Sequence, residues 1–277
     1  VRELITVWRR STAAELCWIA PDGPTGIPVV PLLWDDRPCV ALPLAHLAAV
    51  DTMTSGTAAF AVTGERPGGA PAMVAAGRVD IRFDLEGEGF VDHLLDQEAV
   101  KYPPTRLRSD SMMARRENWW WLARVLITLA DVENVRELPG RSRPEDALLV
   151  RPDERGTHGR GPRPDLPRVD VVTAREWPQD PGATADLWER GGSPLEGAGE
   201  PAFAFSHAHS PDRERWERWH RTGTLIGEEL RVAAGAGGPT AGLRPFGVIE
   251  RFRNHRDVAR RCRRGIAAAE SRLVDSP

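Results

Sequence analysis

The sequence predicts a mainly β fold with peripheral helices, a small and mostly antiparallel barrel with helices in its connections. Three observations predict it. Short apolar runs separated by turn residues follow one another from the N-terminus: ELCWIA, GIPVVPLLW, PCVAL and TAAFAVT. The longest strand, Ala72–Leu85, comes next, with Val74, Val79, Ile81 and Phe83 as apolar anchors and Gly77 inside it. In the second half an apolar strand (AFAFS), a charged connection and a long glycine-bearing strand (TGTLIGEELRVA) recur in the same order. That recurrence reads as a second, degenerate barrel, so that the chain is a tandem of two barrels and its own pseudo-dimer.

Each element has its own signal. Residues 1–14 place Val1, Leu4, Ile5 and Trp8 on one helical face. Pro21-Asp22-Gly23-Pro24 is a turn, and Pro28 and Pro31 push Gly26–Trp34 to a sheet edge or interrupt it with bulges. Asp35-Asp36 turns the chain into a strand at Pro38–Leu42. A short helix at Leu44–Val50 precedes the Thr57–Thr63 strand, a helix spans about Gly89–Val100, and Leu122–Val135 closes the sheet. Residues 139–168, rich in Pro, Gly and Arg, read as a linker between a first domain (1–138) and a second (169–277), with only Ala147–Val150 as a strand candidate inside it. There, Val169–Thr173 and Ala202–Ser206 read as strands and Asp212–Arg221 as a short helix carrying Trp216, Trp219 and His220. Thr222–Ala233 is a long strand, with another expected at Arg244–Ile249. The helix at 250–274 is the clearest element, because Phe252, His255, Ala259, Cys262, Ile266, Ala269 and Leu273 recur at steps of three and four.

Composition narrows the functional classes. The chain has 277 residues, room for one large domain or two ordinary ones, and a net charge of −3, against the basic footprint of a general nucleic-acid binder. Abundant Arg beside a single Lys, with much Ala, Gly and Pro, reads as the codon bias of a GC-rich bacterial genome. Cys17, Cys39 and Cys262 are scattered and odd in number, which fits a reducing compartment better than a disulfide scaffold or zinc ribbon. No apolar run approaches a membrane span, and the first residues lack a signal-peptide core. The expectation is a cytoplasmic protein without a nucleic-acid or membrane partner. The seven arginines between Arg251 and Arg264 read as a solvated helix face.

The strand order, with the GIPVVPLLWDDRPCVALP hairpin, the TAAFAVT strand and MVAAGRVDIRFDL with Gly77-Arg78 in mid-strand, resembles the split β-barrel family of pyridoxamine 5'-phosphate oxidase-like, FMN-binding proteins. The resemblance covers roughly residues 1–138. It implies a flavoprotein, an oxidoreductase acting on a small molecule, that holds FMN, in some members a deazaflavin or haem, at the interface of a homodimer or, here, of an intramolecular pseudo-dimer. The family's phosphate-binding base on the third or fourth strand has no counterpart in Cys39–Pro43 or Thr57–Thr63. The nearest cofactor-binding candidates are Thr52, Thr54 and Ser55 on the intervening turn, and Arg78.

The segment Glu98–Trp121 carries further candidates. It holds the only Lys and Tyr of the chain (Lys101, Tyr102), Arg106, Arg108, Arg115 and Arg116, and the consecutive Trp119, Trp120 and Trp121. An aromatic wall beside guanidinium groups suits a planar anionic cofactor, with Arg106, Arg115, Arg116 and the three tryptophans as its contacts. The competing reading is packing across a barrel mouth. His207 and His209 share a strand face and form a weak metal candidate or an axial haem ligand. The alternative gives them and Ser210 to the capping of a following helix. No nucleophile elbow, P-loop or dinucleotide fingerprint is present, so catalytic residues are not assigned. The cofactor-free or haem-binding alternative is a carrier, sensor or structural module.

Overall fold

The computed structural model describes residues 1–64, 69–109, 120–153, 161 and 163–275, with side chains through 272. A helix, α1 (Arg2–Arg10), leads into strands β1 (Ala14–Ala20), β2 (Gly23–Val29), β3 (Leu32–Trp34) and β4 (Arg37–Pro43). After the short helix α2 (Leu47–Val50) come β5 (Thr57–Val62) and β6 (Ala72–Asp84). Three short helices, α3 (Glu88–His93), α4 (Leu95–Lys101) and α5 (Pro103–Ser109), precede β7 (Arg124–Leu138). The second half holds β8 (Ala147–Asp153), β9 (Arg163–Ala174), β10 (Thr184–Glu189), β11 (Gly197–His209), β12 (Trp216–Gly227), β13 (Glu229–Ala236) and α6 (Val248–Asp275).

The two halves pair their strands in one order. The first sheet runs β2-β1-β5-β6-β7-β4-β3, and the second is a closed barrel, β10-β13-β12-β11-β8-β9. Matching β1 with β8, β4 with β10, and β5, β6 and β7 with β11, β12 and β13 leaves β9 to match β2 and β3 together. β9 is continuous and pairs with both β8 and β10. In the first half Val30-Pro31 breaks the same path into β2 and β3. Pro31 has no N–H to continue a ladder, so the first barrel stays split where the second closes. The expected edge placement of Gly26–Trp34 follows from this.

A shared glycine marks the repeat. Gly77 lies opposite Ala58, and Gly223 opposite Ala202. Each sits at a β-bulge toward its other neighbour, where a Cβ would overlap a carbonyl oxygen, that of Asp131 for Gly77 and that of Arg231 for Gly223. Glycine lets two backbones approach where the long strand bends around its barrel.

The halves join through apolar faces. Cys17, Ala59, Ala61 and Val74 of the first pack with Leu148, Val150, Val171, Phe203 and Phe205 of the second in one buried cluster. Gly26 lies so close to the Phe205 ring that a Cβ would stand 2.6 Å from it. By the strand registers Ala59 matches Phe203 and Ala61 matches Phe205, so equivalent surfaces face each other, as in a pseudo-dimer.

Several expectations need correction. Strands β8 and β9 run through the stretch read as a linker at 139–168, with Arg151, Pro152 and Pro167 buried there. Asp212–Arg221 is not a helix. Ser210 closes a hairpin there, its N–H donating to the Arg215 carbonyl (2.9 Å) and its Oγ accepting from the Arg215 N–H (3.1 Å). β12 then buries Trp219 and Arg221 on one face. The strand expected at Arg244–Ile249 is irregular chain and the start of α6. That helix returns to the first half. Ala259 and Cys262 pack with Leu32, Cys39 and Trp120, and Arg272 pairs with Asp51 (2.6 Å). Replacing Gly77 or Gly223 by valine is expected to lower unfolding free energy in urea by about 2–3 kcal/mol through overpacking at the bulge; unchanged midpoints would contradict the shared role.

Candidate functional site

The residues proposed to hold a cofactor do not converge. Arg78 is exposed and ion-paired with Asp131 across the bulge. Thr52 accepts a hydrogen bond from Trp18 Nε1 (2.9 Å) and donates to the Ala49 carbonyl (2.7 Å). Ser55 shares a hydrogen bond with Thr57 (3.0 Å), while Thr54 is exposed. Arg106 is exposed on α5. Trp120 and Trp121 are buried with Phe90, Leu94 and Leu126 against α6, Trp120 edge-on to His255 (5.5 Å). They fill a core and leave no aromatic wall open. Arg115, Arg116 and Trp119 lie outside the described residues.

A different cluster forms around Glu15, where the residue after β5 and the end of β11 meet the start of β1. Thr63 and His207 follow from matched positions in the two repeats, and both reach Glu15 at the start of β1. His207 Nε2 lies 2.9 Å from Glu15 Oε1, and Thr63 Oγ1 donates to the same oxygen at 3.2 Å. Arg141, in the connection after β7, ties them together. Its Nε donates to Thr63 Oγ1 (2.8 Å) and its Nη1 to Ser206 Oγ (2.6 Å). Its Nη2 pairs with Glu15 and lies 3.0 Å from His207 Nε2. The Arg141 N–H also donates to the Thr63 carbonyl (2.8 Å), which fixes the connection itself. The side chains of Arg141, Glu15 and His207 are only 6%, 1% and 5% exposed.

Above this cluster opens a cavity of about 360 Å³, lined by both halves and the connection between them. This lies within the range of small-molecule sites, about 300–1,000 Å³. Its walls include Arg143, His209, Arg218 and Trp219, with Gly237–Gly242 along the rim. Trp216 packs beside both imidazoles, its ring centroid 5.7 Å from His207 and 5.3 Å from His209. His209 Nδ1 is 3.1 Å from the Ser210 carbonyl. A carbonyl only accepts, so Nδ1 carries the proton and Nε2 keeps the lone pair of the neutral ring. Two buried atoms of the cluster, Glu15 Oε2 and His207 Nδ1, make no hydrogen bond within the protein.

The ionisation states follow from burial and charge. Burial pushes the Glu15 carboxyl up, but Arg141 and His207 outweigh it and hold it below its ordinary range. Burial, helped by Arg141, pushes the His207 imidazole down against the pull of Glu15. At neutral pH the cluster is therefore an Arg⁺–Glu⁻ pair beside a neutral imidazole. The two histidines do not cap a helix; both stand on β11, and no group of three metal-ligating side chains occurs among the described residues. Glu15 and Arg141 were not among the residues singled out from the sequence. A carboxylate opening the apolar run ELCWIA was the one available signal, and Arg141 had none.

Both shifts are downward, so their contribution to stability is complete above the unfolded-state pKa values and is lost as pH falls. The loss begins below the ordinary imidazole range for His207 and continues through the carboxylate range for Glu15. Glu15→Gln leaves the Arg141 charge buried without its partner, and a loss of about 3–5 kcal/mol is expected in urea unfolding at neutral pH. The deficit should narrow in acid; equal stability at neutral pH would contradict the ion pair's role.

No family model and no curated protein matches the chain. Several solved structures are similar to it. A conserved hypothetical protein from Mycobacterium tuberculosis is 16% identical with a TM-score of 0.34, over 51% of this chain and 89% of its own. A haem-binding protein from Mycobacterium smegmatis is 11% identical with a TM-score of 0.33, over 95% of this chain and 96% of its own. A pyridoxamine 5'-phosphate oxidase-related, FMN-binding protein from Nostoc punctiforme is 16% identical with a TM-score of 0.25, over 79% of this chain and 90% of its own. These are likenesses at 11–16% identity, each with a TM-score below 0.5.

Proposed function

We propose that this chain is a haem-binding protein of split-barrel fold, a carrier or sensor, with its ligand in the cavity between the two halves and His209 as the axial ligand. The observation that carries the reading is the hydrogen bond from His209 Nδ1 to the Ser210 carbonyl (3.1 Å). It fixes the tautomer that offers Nε2 to a metal, the arrangement ligating histidines ordinarily require. Trp216 beside the imidazole and Trp219 in the wall offer flat apolar contact. Arg143 and Arg218 line the same cavity, and their positive charge suits ligand carboxylates. A bound haem would supply the affinity for diatomic gases and the one-electron chemistry. The protein would hold it, shield one face and set the basicity of the ligating imidazole.

The same fit test disfavours the flavin. Arg78 is engaged by Asp131, Thr52 by Trp18 and Ala49, and the described tryptophans of the 119–121 run by the core. The cavity also offers no residue placed for nucleophilic catalysis. Its lining carboxylates, Glu15 and Glu217, are engaged by Arg141 and Arg215.

Haemin titrated into the purified full chain is expected to give a Soret band with the spectrum of an imidazole complex. His209→Ala should weaken binding more than tenfold, about 1.4 kcal/mol, with the circular dichroism unchanged and the spectrum altered. An unaltered Soret band in His209→Ala would remove the axial assignment. Binding of FMN without binding of haemin would return the chain to the flavin reading.

A further inference from the structure

The solvent face of α6 carries a charge pattern that the cavity does not use. One side of the helix, through Ala259, Cys262, Ile266 and Ala269, is packed on the first half. The opposite side presents Arg253, Arg256, Arg260, Arg263 and Arg264, all exposed. At about 100° per residue these five fall within one arc of roughly 100°, a row about 16 Å long. Near the start of the helix Arg251 pairs with Asp212 (3.0 Å) and with Glu214. Within the row, Arg260 lies 3.5 Å from Asp257, the preceding turn of the same helix providing the carboxylate. Among the described residues no carboxylate pairs with Arg253, Arg256, Arg263 or Arg264. A chain of net charge −3 thus concentrates uncompensated positive charge in one line.

The start of the same helix is apolar and bare. Val248, Ile249 and Phe252 are 84%, 69% and 62% exposed, three of the most exposed large apolar side chains of the chain. Ile249 falls on the arginine arc, and Phe252 flanks it beneath Arg256, whose guanidinium lies 5.5 Å from the ring centroid. Guanidinium groups in a row, with an apolar end in line with them, match a surface that is anionic outside and hydrocarbon beneath. Phosphodiester backbones share the anionic chemistry but give the bare Val248, Ile249 and Phe252 nothing to enter.

We infer that α6 docks this protein on the surface of an anionic lipid bilayer, lying along it, with the arginine row on the headgroups and Ile249 and Phe252 in the interface. The helix lies on the surface and does not cross it; no helix among the described residues is long and apolar enough to span a membrane.

Sedimentation of the full chain with vesicles tests this. Phosphatidylcholine vesicles containing about a third phosphatidylglycerol are expected to carry the protein down, pure phosphatidylcholine vesicles are not, and added salt should release it. Neutralising two arginines in Arg256→Gln/Arg260→Gln should weaken partitioning by about fivefold per charge, more than twentyfold together. Ile249→Ser/Phe252→Ser should weaken the fraction that survives high salt. Circular dichroism and haemin binding serve as controls that the variants fold. Failure to sediment with anionic vesicles would overturn the inference, and so would equal partitioning of the Arg256→Gln/Arg260→Gln variant. Tighter binding to a duplex oligonucleotide than to the vesicles, lost in the same variant, would reassign the row to nucleic acid.

Discussion

One desolvated guanidinium conditions the junction of this molecule. Arg141 lies between the two halves with every nitrogen engaged, on Thr63 and Glu15 of the first half and on Ser206 and His207 of the second. Taking such a charge out of water costs several kcal/mol, recovered only when an opposite charge and enough acceptors surround it. The partners come from three separate stretches of sequence. The guanidinium is therefore satisfied in one arrangement of the halves, and that arrangement builds the cavity floor. His207 stays neutral because burial disfavours its charge and the neighbouring Arg141 charge opposes a second one, against the pull of Glu15. Glu15 Oε2 and His207 Nδ1 are left buried without a hydrogen-bond partner in the protein.

The repeat explains why the large cavity opens at one end of the seam. Matching strands pack back to back through alanine, valine and phenylalanine, so the seam is close to symmetric. Its polar ends are not. Around β9 the seam is sealed by Asp170, which takes Arg136 of the first half (3.0 Å) and Arg151 (3.1 Å) and Arg168 (3.2 Å) of the second. Burial pushes the Asp170 carboxyl up, and these three arginines outweigh it and hold it below its ordinary range. Only about 10 Å³ of space remains beside this network. At the other end the connection carrying Arg141 and the glycine-rich chain after β13 stand apart, and the large cavity opens. Divergence between the halves thus closed one place and kept another.

How much of this was legible depended on what each residue had to satisfy. Strands that alternate, such as TAAFAVT and MVAAGRVDIRF, showed themselves because one face is core, and the doubled order of strands showed in the same way. Three tryptophans in a row misled, because strand geometry assigns neighbours to opposite faces. Trp120 and Trp121 instead sit in a short helical turn, where both reach the same core. DRERWERWHR misled because its charges suggested a solvated helix. Arg221 is wholly buried there, donating to the carbonyls of Trp177, Pro178 and Gly237, and an arginine that hydrogen-bonds backbone alone leaves no charge pattern in the sequence. The junction was illegible for a related reason. Its partners lie up to 192 residues apart, and Arg141 sits among Pro, Gly and Ser like any linker residue.

The central claim is that the halves form one cooperative body because their seam is core and their junction is a shared ion pair. Differential scanning calorimetry of the full chain tests it directly. The account predicts a single transition whose calorimetric and van't Hoff enthalpies agree. It also predicts that Arg141→Met lowers the temperature of that whole transition. Two separable transitions, with Arg141→Met shifting only one of them or neither, would contradict it.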